Sequence, residues 1–125
     1  MKALSVKQPW AGYIASGQKT IETRSWNTNY RGELLICSSL KPDKYVSQIY
    51  YNNDLCSVFG KALCLVDVVD CLLWEEKHKK DSLCMAHGGY AWMLENIRKV
   101  ELINVKGQLS IFNLPPHIVE HIKIV

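Results

Sequence analysis

Residues Gly17–Arg24 read Gly-Gln-Lys-Thr-Ile-Glu-Thr-Arg, and the other predicted elements are arranged around this stretch. The glycine can end a preceding helix in a left-handed conformation, and the residues after it are typical of a turn followed by a short strand. Because side chains alternate along a strand, Glu22, Arg24 and Trp26 would lie on one face, where the two charged side chains can pair. Lys19 falls in the turn, so the alternation does not determine its direction.

Aromatic residues flank this stretch on both sides, with Trp10 and Tyr13 before it and Trp26 and Tyr30 after it. A cation, an ion pair and flat aromatic faces together suit a ligand that is both anionic and planar, as nucleotides are. Trp10 and Tyr13 share a predicted helical face with Ile14, which favours the core for both. Trp26 is therefore the stronger stacking candidate.

The composition is that of an ordinary globular domain. The 125 residues are 48% hydrophobic and 22% charged, which predicts a single domain over residues 1–125 with its own core. No apolar run approaches the roughly 20 residues that cross a bilayer, and no signal-peptide core follows the N-terminus. We therefore expect a cytoplasmic protein.

The five cysteines include no Cys-x-x-Cys pair, which predicts free thiols in a reducing compartment. Cys84 and His87 have the spacing of half a zinc site, and His117 and His121 share one face of a helix, but neither pair has a second half. We accordingly predict no metal ion and no cofactor.

The net charge of +3 is unevenly distributed along the chain. Residues 1–44 carry seven Lys and Arg against three Asp and Glu, an excess of four, so the remainder sums to −1. The basic part of the chain contains the central stretch, which favours an anionic partner on that face.

Short strands and peripheral helices alternate along the chain. Strands are predicted at 3–7, 20–26, 33–38, 62–73, 90–95 and 105–112, and helices at 9–16 and 42–51. Residues 74–89 are an excursion with about one helical turn, and the chain ends in a further helical turn. This pattern indicates an α+β fold, a small mixed and partly closed β-barrel with short peripheral helices.

The central stretch resembles the signature of the ASCH domain family, a branch of the PUA-like β-barrels. The family pattern G-x-K-x-x-E-x-R is matched by Gly17, Lys19, Glu22 and Arg24. Similarity to the transcription-coactivator type of this domain extends over residues 4–11, 25–26, 30–32, 105–107 and 111–112. The resemblance implies a barrel whose cleft, lined by this motif, binds RNA or DNA.

The predicted ligand is single-stranded RNA or DNA, or a nucleotide, held by stacking and by phosphate contacts. The predicted nucleic-acid-binding residues are Lys7, Trp10, Lys19, Glu22, Arg24, Trp26, Tyr30 and Arg31. Glu22 and Arg24 have a structural alternative, in which the pair only stabilises the turn. The sequence leaves the oligomeric state open.

A related ASCH branch, which removes the acetyl group of N4-acetylcytidine, implies an alternative function. Its lysine matches Lys19 and a strand glutamate matches Asp67, whereas its catalytic threonine is replaced by Glu22. If the chain is an enzyme, these three residues are its candidate catalytic residues, in an amidohydrolase or a ribonuclease. Asp67 lies in an apolar run, where a lone carboxylate is costly, so we expect a partner or a wet cavity for it. A structural role, or pairing with Lys19 or Arg24, is favoured over that of a catalytic base. The incomplete catalytic set favours binding over catalysis.

Overall fold

In the computed structural model, which describes residues 1–84 and 88–125, the backbone forms one mixed six-stranded sheet. The strands are β1 Lys2–Val6, β2 Ile21–Arg24, β3 Gly32–Ser38, β4 Ala62–Leu73, β5 Tyr90–Lys99 and β6 Ile111–Asn113. Their order across the sheet is β2-β5-β4-β3-β1-β6. β1 and β3 run parallel, and the other neighbouring pairs are antiparallel.

Short helices pack around this sheet. They are α1 Trp10–Ala15, α2 Lys79–Ser82 and α3 Pro116–Val119, with 3-10 turns at Gln48–Tyr50, Asp54–Ser57 and Glu76–His78. The pairing of β4 with β5 shifts register between Leu65 and Asp67 and again between Val68 and Asp70. Such bulges bend a sheet, and here the sheet curls into a half-barrel. The predicted α+β class and small mixed barrel are confirmed.

Apolar side chains cover both faces of the middle strands. The last five residues of β3 are buried, which confirms a strand covered on both sides. One core cluster joins α1 to the sheet through Ile14 and Trp92, and a second lies around Phe112 on the other face. The sheet is therefore a rigid support for the loops at its ends.

The position of α1 is determined by one buried glutamine. The Gln8 amide donates to the carbonyls of Leu55 and Val58, at 2.5 and 2.7 Å, and its oxygen accepts from the Gly12 amide at 2.9 Å. Gly12 lies against Cys56 so closely that an added Cβ would come within 2.5 Å of the Cys56 nitrogen. After α1, Gly17 takes the predicted left-handed conformation with φ +84°. These contacts position both Trp10 and the central stretch.

The helix predicted over residues 42–51 is wrong. Only Gln48–Tyr50 forms a helical turn, and the side chains of Tyr45 and Ile49 project into solvent. The Asp43 carboxylate accepts the amide of Tyr45, and the Ser47 hydroxyl accepts that of Ile49. Such local side-chain hydrogen bonds offer the backbone an alternative to a helix.

Two strand boundaries also differ from the prediction. Residues 105–110 form a loop, and the last strand is limited to Ile111–Asn113, because Ser110 takes a left-handed φ of +60°. β5 extends to Lys99 instead of ending at residue 95, and passes through Asn96 with φ +55°. A single bulged residue lets the strand continue after a local break in the ladder.

The five cysteines are free, and burial raises the pKa of the Cys37 and Cys64 thiols to about 12, which makes both unreactive. Across residues 1–84 and 88–125, no group of three or more His, Cys, Asp and Glu could hold a metal ion, and His87 lies outside these ranges. No helix in the same ranges is long and apolar enough to cross a membrane.

Candidate functional site

A cleft of about 690 Å³ lies between β1, β2 and the first turn of α1. Two loops complete its walls, residues 38–43 after β3 and residues 105–110 before β6. The central stretch lines the cleft through Lys19, Glu22 and Arg24. The motif singled out in the sequence thus borders a large concave surface.

Glu22 is the centre of a buried ionic network in this cleft. One oxygen of its carboxylate accepts a hydrogen bond from Nε of Arg24 at 3.0 Å and lies 2.9 Å from Nη2 of the same side chain. Its other oxygen lies 3.6 Å from Nζ of Lys19. Arg24 Nη2 also donates to the Ser5 carbonyl at 3.0 Å, so the same guanidinium ties β2 to β1. One carboxylate thus forms ion pairs with two cationic side chains.

Lys19 is almost completely buried, with 2% of its surface exposed. Its Nζ donates to the Ser82 carbonyl at 2.5 Å and lies 5.3 Å from the centre of the Trp10 ring. Burial lowers the pKa of Lys19, and the neighbouring Glu22 carboxylate opposes that shift. The Tyr13 carbonyl accepts a hydrogen bond from the Lys19 backbone amide, and this turn directs the Lys19 side chain inward. The alternation of side chains along a strand could not predict that direction.

The structure places Trp10 rather than Trp26 in the cleft lining, and both rings also pack against the core. Trp10 lines the cleft, and its indole nitrogen donates to the Asp43 carboxylate at 2.9 Å. Trp26 packs edge-on against Trp92, with ring centres 4.7 Å apart, and lies outside the cleft lining. The reason is that β2 ends at Arg24, so the alternation does not reach Trp26.

Tyr30 and Arg31, which were predicted at the rim, also lie outside the cleft lining. The Tyr30 hydroxyl donates to the carbonyl of Glu33. The Arg31 guanidinium lies 3.5 Å from the carboxylate of Asp70. Both side chains therefore contact neighbouring strands rather than the cleft.

Of the alternatives for Asp67, pairing with Lys19 or Arg24 is not the one that the structure shows. Its carboxylate accepts from the Asn96 amide at 3.0 Å and from Arg98 at 3.2 Å, and both partners lie on β5. The hydrogen bond from Asn96 lowers the pKa of Asp67. The structure thus brings Lys19 and Glu22 together and leaves the third candidate catalytic residue elsewhere.

Several cleft residues were not predicted. Ser5 could have been found, because it alternates with Leu4 and Val6 and shares the polar side of β1 with Lys7. The other lining residues that were not predicted lie at the end of β3 and in loops, and they are Ser38, Ser39, Leu40, Lys41, Asp43, Gly60, Cys84, Val105, Gly107, Gln108, Leu109 and Ser110. An added Cβ at Gly107 would lie 2.5 Å from the Ser5 hydroxyl oxygen, so a glycine lets this loop approach β1.

The cleft carries an excess of positive charge. Lys7, Lys19, Arg24 and Lys41 line it against the carboxylates of Glu22 and Asp43. Both carboxylates are engaged, one by the ionic network and the other by Trp10. Among the residues that the structure describes, Lys7 and Lys41 form no ion pair, and both are exposed.

Comparisons with known proteins identify relatives by sequence and by fold. The sequence profile of the ASCH domain family matches residues 4–112. Activating signal cointegrator 1 of Homo sapiens is 37% identical over 83 residues, and that of Mus musculus is 36% identical over 83 residues. Each match covers 55% of this chain and 14% of the relative's length.

Crystal structures of the ASCH protein from Zymomonas mobilis have the same fold. One of them covers 96% of this chain and 91% of its own, with a TM-score of 0.59 at 13% identity. A point mutant of that protein covers 98% of both chains, with a TM-score of 0.60 at 12% identity. At these identities the likeness concerns the fold.

Proposed function

The chain belongs to the ASCH domain family, and on this premise we propose that its cleft binds single-stranded RNA, or DNA, by stacking a base on Trp10 and contacting phosphates with lysines. ASCH domains are generally nucleic-acid binding, which supports the class of ligand. The observation that carries the proposal is the position of Trp10 in the same cleft as the unpaired Lys7 and Lys41. A nucleotide presents the planar base and the anionic group that these side chains bind.

Trp10 is held in place before any ligand arrives. Asp43 accepts its indole N–H, and Tyr13 packs against its ring edge-on with centres 5.8 Å apart. A ring fixed in this way loses little conformational freedom on binding. Stacking of one base on it should therefore contribute the usual value of about 1–3 kcal/mol, without an ordering cost.

Arg24 retains a donor for a phosphate. Its Nε and Nη2 are occupied by Glu22 and Ser5, whereas Nη1 has no hydrogen-bond partner within the described ranges. The side chain is partly exposed in the cleft. With Glu22 holding its orientation, the guanidinium can donate to an anionic oxygen without rearranging.

The test is a titration of wild-type protein against RNA and DNA hexanucleotides across a salt series, with Trp10→Ala and Trp26→Ala as a matched pair. We expect Trp10→Ala to weaken binding by about 1–3 kcal/mol and Trp26→Ala to leave the affinity of the folded protein unchanged. Thermal melts show the folded fraction of each variant. No measurable wild-type affinity at low salt, or equal losses in the two variants, would end the proposal.

Burial of Lys19 supports a second candidate function, hydrolysis of an acylated nucleoside. A lysine of lowered pKa acts as a base or nucleophile more readily than an ordinary one. Against this candidate, Asp67 lies outside the cleft lining, and Glu22 stands where the hydrolase branch carries threonine. In an assay of N4-acetylcytidine deacetylation we expect no turnover above a blank. Wild-type turnover that falls about 10²-fold in Glu22→Gln would replace binding by catalysis.

A further inference from the structure

The segment over residues 40–50 begins in the cleft wall and exposes large apolar side chains. Tyr45 and Ile49 are 86% and 82% exposed, and Leu40 and Tyr50 are also mostly in solvent. The segment carries one helical turn, at Gln48–Tyr50, and its remaining backbone is irregular. Apolar side chains clustered in this way on a small domain mark an interaction surface.

Tyr45 is connected to the cleft through a single carboxylate. One oxygen of Asp43 accepts the Trp10 indole N–H at 2.9 Å, and the other accepts the Tyr45 backbone amide at 3.0 Å. The Tyr45 backbone and the Trp10 indole are therefore hydrogen-bonded to the two oxygens of the same carboxylate. Trp10 lines the cleft, whereas Tyr45 lies beyond its lining residues.

The chemistry beside Tyr45 repeats that of the cleft. Nζ of Lys44 lies 5.2 Å from the centre of the Tyr45 ring, and Lys41 lies on the same segment. An exposed ring beside an ammonium group offers a nucleotide both a stacking face and a phosphate contact. The ammonium group beside the ring, together with the lysines of the cleft, favours an anionic strand over an apolar peptide.

We propose that Tyr45 and Lys44 form a second subsite, which binds the nucleotide next to the one that stacks on Trp10. The ligand is then an oligonucleotide of at least two residues rather than a free nucleoside. This inference rests on the proposed function, since Trp10 defines the first subsite. It also assigns a role to the exposed Tyr45 ring.

The experiment compares a hexanucleotide with a mononucleotide on the same variants. Binding of rU6, rA6 and the corresponding nucleoside monophosphates is measured by NMR titration, which reaches millimolar affinities. We expect Tyr45→Ala to weaken hexanucleotide binding about tenfold while the mononucleotide affinity stays within about twofold. Tyr45→Phe keeps the ring and should bind like the wild type. Ile49→Ala removes an equally exposed apolar side chain without a ring, and should have no effect.

The outcomes separate this inference from the proposed function. Hexanucleotide binding that requires Trp10 but is unchanged in Tyr45→Ala overturns the second subsite alone. Equal losses for hexanucleotide and mononucleotide in Tyr45→Ala also overturn it, because the ring would then act on the first nucleotide. A wild type that binds neither ligand overturns both proposals. If the mononucleotide binds as tightly as the hexanucleotide, the cleft is a site for a single nucleotide, and the proposed oligonucleotide ligand is rejected.

Discussion

The structure holds two ionic networks. Lys19–Glu22–Arg24 lies in the cleft, on β2 and the turn before it, and Glu33–Asp67–Arg98 lies across β3, β4 and β5. Their closest distances are similar, 2.9 Å from Arg24 to Glu22 and 3.2 Å from Arg98 to Asp67. They differ in access to water, because the Glu22 side chain is 7% exposed and the Asp67 side chain 34%. The two arginines are similarly exposed, so the difference lies in the carboxylates. The buried Glu22 carboxylate depends on its partners, whereas water can also solvate that of Asp67.

This difference separates a candidate ligand site from a structural contact. Burying charge is costly, and the cleft keeps three charged groups that hold one another in fixed positions beside Trp10. The network around Arg98 joins three strands at the surface, where such pairs contribute little. The networks differ in composition as well as in burial. Two cations share one carboxylate in the cleft, whereas one guanidinium shares two carboxylates in the network around Arg98.

The largest expected difference is in stability. Glu22→Gln leaves the Lys19 ammonium buried without its carboxylate, and we expect it to lower the free energy of unfolding by about 2–3 kcal/mol. This cost lies at the low end for a buried pair, because Lys19 can release its proton. Asp67→Asn should cost less than about 1 kcal/mol, since the Asp67 carboxylate is partly exposed and Arg98 keeps Glu33 as a partner.

Equilibrium unfolding in urea measures both effects. The Lys19→Met and Glu22→Gln double variant completes a thermodynamic cycle and should lose less than the sum of the two single losses. Equal losses for Glu22→Gln and Asp67→Asn would contradict the distinction between the networks.

The two networks should affect the free energy of unfolding at opposite ends of the pH range. Burial lowers the pKa of Lys19 below its ordinary 10.5, so between the two values the unfolded chain binds more protons and the free energy of unfolding rises with pH. Asp67 has a pKa below its ordinary 3.8, so its contribution is present above 3.8 and is lost as the pH falls through the folded value.

Urea unfolding at a series of pH values isolates each group by difference from a variant. The rise toward pH 10.5 should disappear in Lys19→Met and persist in Asp67→Asn. The loss at acid pH should diminish in Asp67→Asn alone. An alkaline rise that survives in Lys19→Met would show that another group causes it.

The smallest expected effect is on the salt dependence of nucleic-acid binding. Lys7 lines the cleft, so Lys7→Gln should reduce the slope of the logarithm of affinity against the logarithm of salt by roughly one unit. Arg98→Gln removes the same charge from the exposed network and should leave the slope unchanged. Fluorescence anisotropy with a labelled RNA hexanucleotide measures both slopes. Identical slopes in the two variants would show that the ligand does not discriminate between the two regions.

Local sequence patterns predicted most of the fold and part of the site. The end of α1 before Gly17 followed from glycine chemistry, and the burial of the last five residues of β3 followed from an apolar run. The helix predicted at 42–51 failed because Asp43 and Ser47 bond to nearby backbone amides, and periodicity does not register this competition. The cleft residues in the loops were missed because a local pattern does not show which loops meet at a cleft, and residues 105–110 were predicted as a strand.

The sequence by itself determined the family, the α+β class and the neighbouring positions of Lys19, Glu22 and Arg24, because these depend on local spacing and composition. Only the tertiary structure decided that Trp10 rather than Trp26 lines the cleft and that Asp67 pairs on β5. Alternation assigns a side chain to a face only while the strand lasts. The partner that it meets across the sheet is set by register, by bulges and by which charges water can still reach.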